Sequence, residues 1–276
     1  MNKYRTLGLL AIGSVLLVAC SQPATESQGE AGAPASPATA PAQDAPAQLV
    51  DVIETSPTQV IGISYPHDAG IPPGLAKVLQ DYAGQARQEL QSALDGLGND
   101  TPRAPYELSL SFTVSADTPE LMAVSADGSR YTGGAHGQPL VARFVWLKQE
   151  GRLLPIEELI VEADSRKTVA GYVQQQLIAE MESRLQADRL DDEQLEQARS
   201  NGRRMIKEGT EAQAENFSQF LPVVDRQGRV EALRFVFPPY QVGPYSDGTQ
   251  SVDVPVQMLL PHLAPQYRAL FASPAA

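Results

Sequence analysis

Hydrophobic residues recur at two different periods in the first half of the chain. Between residues 75 and 97 they recur at steps of three and four, which predicts a helix with one apolar face. Between residues 106 and 114 apolar and polar residues alternate, which predicts a strand with one buried face. Shorter apolar stretches predict strands at 49–53, 60–63, 121–125 and 140–147, with a turn at Asp127-Gly128.

The second half of the chain is helical at first and then returns to strands. Helices are predicted at 155–160, at 165–185, and at 191–206, where the apolar face is thin and a surface position is expected. Strands follow at 217–224, 230–237 and 252–254, then a short helix at 256–260 and a loose C-terminus. Because strands and helices do not alternate regularly, the pattern predicts an α+β fold of helices on antiparallel sheets. The expected organisation is one compact region of two subdomains, 49–150 and 151–272.

The N-terminus carries the pattern of an export signal followed by a tether. Lys3 and Arg5 precede a dozen nearly all apolar residues, a length typical of a signal peptide and too short to span a bilayer comfortably. The run ends in LVAC, which resembles the bacterial lipobox, so residues 1–19 are predicted to be removed and Cys20 to be lipidated. Ser21 favours outer-membrane sorting, facing the periplasm, if the source is Gram-negative. Residues 20–48 then form an Ala- and Pro-rich tether that cannot bury a core.

Composition excludes several classes of function. The net charge of -12 argues against nucleic-acid binding, which needs clustered basic residues. A single Cys excludes a disulfide framework, and three His residues without ligand spacing argue against a metal site. No nucleotide-binding, dinucleotide-binding or hydrolase motif is present, so no cofactor is expected.

Two glycine- and aromatic-rich motifs stand out. The first is YTGGAHG at 131–137, followed by GRLLPIEEL at 151–159; the second is FVFPPYQVGPYSDG at 235–248, ending in VDVP at 252–255. Together they resemble the paired domains of unknown function in the extracellular part of the anti-sigma factor RsiV and beside the catalytic domain of the peptidoglycan deacetylase PdaC. The resemblance implies an α+β fold and an envelope-facing recognition role. In RsiV this region binds lysozyme; in PdaC the chemistry belongs to a separate metal-dependent domain that this chain lacks.

Four residues of these motifs are candidate ligand-binding residues: Tyr131, His136, Tyr240 and Tyr245. His136 lies in a glycine-rich turn and is either a ligand contact or a hydrogen-bonded turn residue. Tyr240 and Tyr245 lie on a loop that its prolines are expected to hold extended. They either form an exposed aromatic surface or pack their rings inward.

The acid pairs Glu157-Glu158 and Asp191-Asp192 are poor candidates for catalysis. Neighbouring residues on a helix point in different directions, so neither pair can flank one glycosidic bond. His67 and His262 are isolated in the sequence. No catalytic residue and no metal ligand is therefore predicted.

Three functions are compatible with these features, of which the first is predicted and the other two are alternatives. The first is a non-enzymatic envelope binding module whose partner is a basic lysozyme-class protein, attracted by the acidic chain, or peptidoglycan. The second is a glycan-modifying enzyme that uses His136 and a carboxylate brought near by the fold. The third is an envelope scaffold or assembly protein.

Overall fold

The computed structural model describes residues 48–67, 69–187 and 190–272. The predicted signal segment, Cys20 and nearly all of the predicted tether lie outside these residues. The described chain forms two β-sheets with packed helices, so the predicted α+β class is confirmed. None of the helices in this part of the chain is long and apolar enough to cross a bilayer.

A six-stranded sheet occupies the first half, in the order β1-β2-β3-β4-β5-β6. Its strands are β1 (Val52–Thr55), β2 (Gln59–Ser64), β3 (Tyr106–Asp117), β4 (Leu121–Tyr131), β5 (Gln138–Leu147) and β6 (Arg152–Leu153). Helix α1 (Pro73–Asp95) connects β2 to β3, which makes this pair parallel, whereas the other neighbours in the sheet are antiparallel. The helix begins at a proline, as its fixed φ favours.

The prediction of a turn at Asp127-Gly128 is wrong, because β4 continues through these residues to Tyr131. Gly128 pairs with Leu110 on one side and Leu140 on the other. The hydrophobic pattern stops at Ala126 because the next residue on the same face of β4, Gly128, has no side chain, although both of its partners are buried. Backbone hydrogen bonds to both neighbouring strands continue to hold β4, and a hydrophobic pattern does not report those bonds.

The second half forms a three-stranded antiparallel sheet with helices on it. The elements are α2 (Ile156–Leu159), α3 (Ala163–Ala187), α4 (Asp192–Gly209), β7 (Phe220–Val224), β8 (Val230–Phe237), β9 (Gln250–Pro255) and α5 (Val256–Leu259). Helix α3 packs on β9, and the more polar α4 packs on α3 at the surface. Only Ile206 and Gly209 of α4 are buried, as its thin apolar face predicted.

Two hydrophobic clusters stabilise the described chain, and the six-stranded sheet contributes to both. One cluster lies between α1 and one face of this sheet and includes Leu79, Phe112 and Trp146. The other lies around the three-stranded sheet and α3, and it also contains Val145 and Leu147 of β5. Successive residues of β5 therefore point into different cores, because side chains alternate between the faces of a strand.

The expectation of a loose C-terminus is wrong for residues 260–272. Leu260–His262 and Pro265–Leu270 form 3-10 turns, and the side chains of Tyr267 and Phe271 are buried in the second cluster. The backbone N–H of Ala272 donates to the carbonyl of Val230 at 2.8 Å. Turns this short lack the periodicity of a helix, so two buried aromatic residues are their main sequence signal.

Candidate functional site

The first motif forms the hairpin loop between β4 and β5. Gly133 and Gly134 adopt φ values of 93° and 101°, which suit glycine because it has no Cβ. These two residues reverse the chain and leave His136 exposed on the far side of the loop. The backbone geometry of the turn therefore favours glycine at these two positions, and the turn places the imidazole ring of His136 at the surface.

The second motif forms the loop between β8 and β9, and its prolines do not hold it extended as expected. The N–H of Gln241 donates to the carbonyl of Pro238 at 3.1 Å, which closes a four-residue turn with Pro239 second and Tyr240 third. The φ of Tyr240 is 74°, the value a type II turn requires at its third position, where glycine is favoured. Proline is favoured at the second position of such a turn, so Pro239 helps to bend the chain here instead of extending it.

The two loops meet and bring together three of the four predicted residues. The hydroxyl of Tyr240 lies 2.8 Å from Nε2 of His136, and the ring of Tyr245 stacks on the imidazole with centroids 4.0 Å apart. The centroids of the two tyrosine rings are 5.7 Å apart. We call His136, Tyr240 and Tyr245 the aromatic patch.

Hydrogen bonding defines the tautomer of the histidine in the aromatic patch. Nδ1 of His136 lies 3.2 Å from the carbonyl oxygen of Gly137, which can only accept, so Nδ1 carries the proton. In the neutral ring Nε2 is then the acceptor for the Tyr240 hydroxyl. Both ring nitrogens are engaged by a carbonyl and a phenol, and neither contact involves a carboxylate.

Contacts behind the patch hold the second loop in place. The side-chain amide of Gln241 donates to the carbonyls of Gly209 and Asn216 at 3.0 and 2.9 Å. Val242 is buried in the second hydrophobic cluster, and Asp247 pairs with Arg184 of α3 at 3.3 Å. Tyr240 itself is 53% exposed, so the loop is anchored while its aromatic ring stays accessible.

Tyr131 lies in a neighbouring groove. Its hydroxyl donates to the carbonyl of Gly134 at 3.2 Å, and with Gly133 and Gly134 it lines a groove of about 680 Å³ against residues 97–106. Tyr131 therefore contacts its own hairpin, and it lies on a different surface from the aromatic patch.

One acid of each pair has a structural partner. Arg152 donates two hydrogen bonds to Glu158 at 3.0 and 2.8 Å, and Tyr267 donates a third at 3.0 Å. These bonds hold the pKa of Glu158 below its usual range. Asp191 caps α4, accepting from the backbone N–H of Gln194 at 2.8 Å.

The remaining histidines have one polar contact each. Nε2 of His67 lies 3.1 Å from Asp51, and Nδ1 of His262 lies 3.1 Å from the hydroxyl of Ser165. Within the described residues, no three or more His, Cys, Asp or Glu side chains are grouped to hold a metal ion.

Comparison with known families covers both halves of the chain. Residues 54–138 match the family model "Deacetylase PdaC", and residues 157–257 match "Protein of unknown function (DUF3298)". The two matches follow one another along the chain without overlap. The YTGGAHG motif lies within the PdaC match, and the FVFPPYQVGPYSDG motif lies within the DUF3298 match. The aromatic patch therefore takes one loop from each matched region.

Two solved structures of the DUF3298 family are similar to this chain. One, from Bacteroides fragilis, is 16% identical, covers 79% of this chain and 93% of its own, and has a TM-score of 0.49. The other, from Pseudomonas aeruginosa, is 14% identical, covers 81% of this chain and 94% of its own, and has a TM-score of 0.47. No curated protein matches the chain.

Proposed function

We propose that this protein is a non-enzymatic binding module of the cell envelope, and that the aromatic patch contacts its partner. The observation that carries the proposal is Tyr240, which combines an exposed ring with a positive φ. A left-handed backbone costs a residue other than glycine about 1–2 kcal/mol. Such strain concentrates at functional sites, where the surrounding structure maintains it.

The partner we propose is a basic protein of the lysozyme class. The chain has a net charge of -12, which attracts basic proteins and raises their association rate. Tyrosine is also enriched among the residues that contribute most to protein interfaces. Exposed tyrosine rings can equally stack on sugars, so peptidoglycan is the second ligand to test.

The contacts of His136 favour binding over catalysis. A histidine base needs a group that orients it, most often a carboxylate on its second nitrogen. In the described residues, the polar contacts of His136 are the Gly137 carbonyl and the Tyr240 hydroxyl. We therefore propose no chemical step at this ring. Location in the envelope rests on the predicted lipidation of Cys20.

The proposal is tested by measuring the affinity of the purified protein for a basic lysozyme by calorimetry at low and moderate salt. Tyr240→Gly and Tyr245→Ala are each expected to weaken binding by about tenfold or more, as removal of a central aromatic contact does. Tyr240→Gly also relieves the left-handed backbone, so its free energy of unfolding should stay within about 1 kcal/mol of the wild type. Lost affinity would then not be a folding defect.

Ile53→Ala is the matched control, because Ile53 is 87% exposed and lies on β1, the edge strand of the six-stranded sheet. It should bind as the wild type does. Soluble peptidoglycan fragments are titrated in parallel. The proposed partner is refuted if the wild type does not bind lysozyme even at low salt. The proposed surface is refuted if both tyrosine variants bind lysozyme with unchanged affinity.

A further inference from the structure

A second surface, separate from the aromatic patch, lies between the two sheets. It is a groove of about 430 Å³ walled by β3, β4 and β5 on one side and by β7, β8 and β9 on the other. We call it the intersheet groove. Its volume falls within the range of small-molecule sites, which is about 300–1,000 Å³.

The lining of the intersheet groove combines hydroxyl groups with apolar side chains. The hydroxyl-bearing residues are Ser115, Ser125, Thr249 and Ser251. The apolar residues include Leu221, Pro222 and Val236, of which Leu221 is 8% exposed and Val236 is 4% exposed. Hydroxyls that can donate and accept, beside apolar surface, match a sugar ring, which carries hydroxyls at its edge and C–H groups on its faces.

Two guanidinium groups, of Arg143 and Arg234, also line the groove. Arg143 pairs with Asp127 at 2.8 Å, and Arg234 pairs with Asp253 at 2.7 Å. Neither aspartate is among the residues that line the groove, so its surface presents the cationic member of each pair. This arrangement favours an anionic ligand over a neutral one.

Arg143 is the most informative residue of the groove because one of its donors is unused. Its side chain is only 7% exposed, with Nη1 donating to the carbonyls of Ala126 and Ala142 and Nη2 donating to Asp127. Its Nε has no hydrogen-bond partner within the described chain. A buried donor without a partner is uncommon in native proteins and costs about 1–3 kcal/mol. A ligand oxygen that reached Nε from the groove would remove that cost.

We propose that the intersheet groove binds a carboxylate-bearing saccharide of one or two rings, with one carboxylate oxygen accepting from Nε of Arg143. Nε and Nη2 form the edge of a guanidinium that carboxylates bind, and Asp127 uses only the Nη2 position. The serine and threonine hydroxyls bind the ring hydroxyls, and Arg234 contributes the second positive charge. This site is independent of the partner proposed for the aromatic patch.

The test follows the side-chain Nε–H signals of arginine by ¹⁵N–¹H NMR. Sodium D-glucuronate is the probe, with D-glucose and sodium chloride as matched controls for the ring and the salt. The Arg143 signal is assigned by its loss in Arg143→Lys. We expect a saturable shift of this signal with glucuronate. The affinity for glucose should be lower by about tenfold or more, because glucose cannot make the charge-assisted hydrogen bond.

Two variants separate binding from folding. Arg143→Lys keeps the charge but removes Nε–H, so its affinity for glucuronate, measured by calorimetry, should fall by about tenfold or more. Because Arg143 is buried, Ser125→Asp provides a second variant: Ser125 lies opposite Arg143 in the sheet, and a carboxylate there would occupy the same donor. It should abolish glucuronate binding without loss of thermal stability. Arg226→Gln, in the exposed turn after β7, is the control and should bind normally.

Three results would each overturn the proposal. The first is the absence of a saturable shift of the Arg143 Nε–H signal with glucuronate. The second is unchanged glucuronate affinity in Ser125→Asp. The third is equal affinities for glucuronate and glucose, which would show that the carboxylate is not bound by Arg143. Lysozyme binding by the aromatic patch is measured separately, so its failure would leave this site unaffected.

Discussion

At the scale of single residues, the lack of a side chain at Gly128 allows two neighbouring strands to lie close together. Gly128 lies in the central strand β4, opposite Leu110 of β3. A Cβ added there would meet the Ser109 carbonyl and would lie 2.9 Å from the Cα of Leu110. Gly62 of β2 is a useful contrast, because a Cβ added to it would have no atom within 4 Å. Both are strand glycines, but only Gly128 is required by its neighbours.

We therefore predict that Gly128→Ala destabilises the protein by about 2 kcal/mol or more, because the colliding atoms belong to the backbone and cannot rotate away. Gly62→Ala should change the free energy of unfolding by no more than about 0.5 kcal/mol, as is usual for an open surface position. Urea unfolding of the two variants measures both values. Equal effects would contradict the close approach of β3 and β4 at Gly128.

At the scale of elements, α4 shows how a helix with little buried surface is held. Its few buried residues include Ile206, and Arg199 and Arg203 both pair with Glu182 of α3 at distances of 2.9 and 2.8 Å. These bonds hold the pKa of Glu182 below its usual range. At the start of α4, Asp191 and Gln194 form a reciprocal capping box. The capping box and the ion pairs therefore stabilise α4, whose apolar face is too thin to hold it by hydrophobic burial alone.

The two neighbouring acids at this terminus are predicted to differ in their contribution to stability. Asp191→Ala removes the acceptor for the Gln194 N–H and should cost about 1 kcal/mol. Asp192→Ala removes only a charge near the helix start and should cost a few tenths, at most about 1 kcal/mol. Urea unfolding gives the two costs, and hydrogen exchange at Gln194 locates the effect. A larger loss in Asp192→Ala than in Asp191→Ala would show that the capping box is not the dominant contribution.

At the scale of the whole molecule, the two sheets share one hydrophobic cluster. Val145 and Leu147 of β5 lie in the same cluster as Phe220 and Phe235 of the three-stranded sheet. Trp146, between them in sequence, lies in the cluster under α1. A change in the packing of either hydrophobic cluster therefore affects β5. Residues 48–67, 69–187 and 190–272 should consequently unfold together.

The prediction uses Trp146, the single tryptophan of the chain, as a probe. Phe220 is 3% exposed in the second cluster, so Phe220→Ala should cost about 3–5 kcal/mol. Because unfolding is cooperative, the urea midpoint reported by Trp146 fluorescence should fall together with that reported by circular dichroism. A Trp146 transition that stays at its wild-type midpoint would mean that the two sheets unfold independently.

Local patterns were sufficient to predict most elements. The three-and-four spacing before residue 97 and the alternation after Tyr106 correspond to α1 and β3, because these periods come from the geometry of one element. The pattern failed at Asp127-Gly128 and after α5. In both places the chain is held by neighbouring strands or by a few buried aromatic side chains.

The functional surfaces depend on the tertiary structure. The sequence by itself placed His136 in a glycine-rich turn and Tyr240 and Tyr245 on a proline-rich loop, which it predicted to be extended. Only the folded chain brings the turn and the loop together, more than a hundred residues apart, and separates Tyr131 from them. Arg143 had one local signal, an arginine within an otherwise apolar strand, but its unused donor depends on two sheets packing around it. Periodicity is a property of one element, whereas a binding surface is made where elements distant in sequence come into contact.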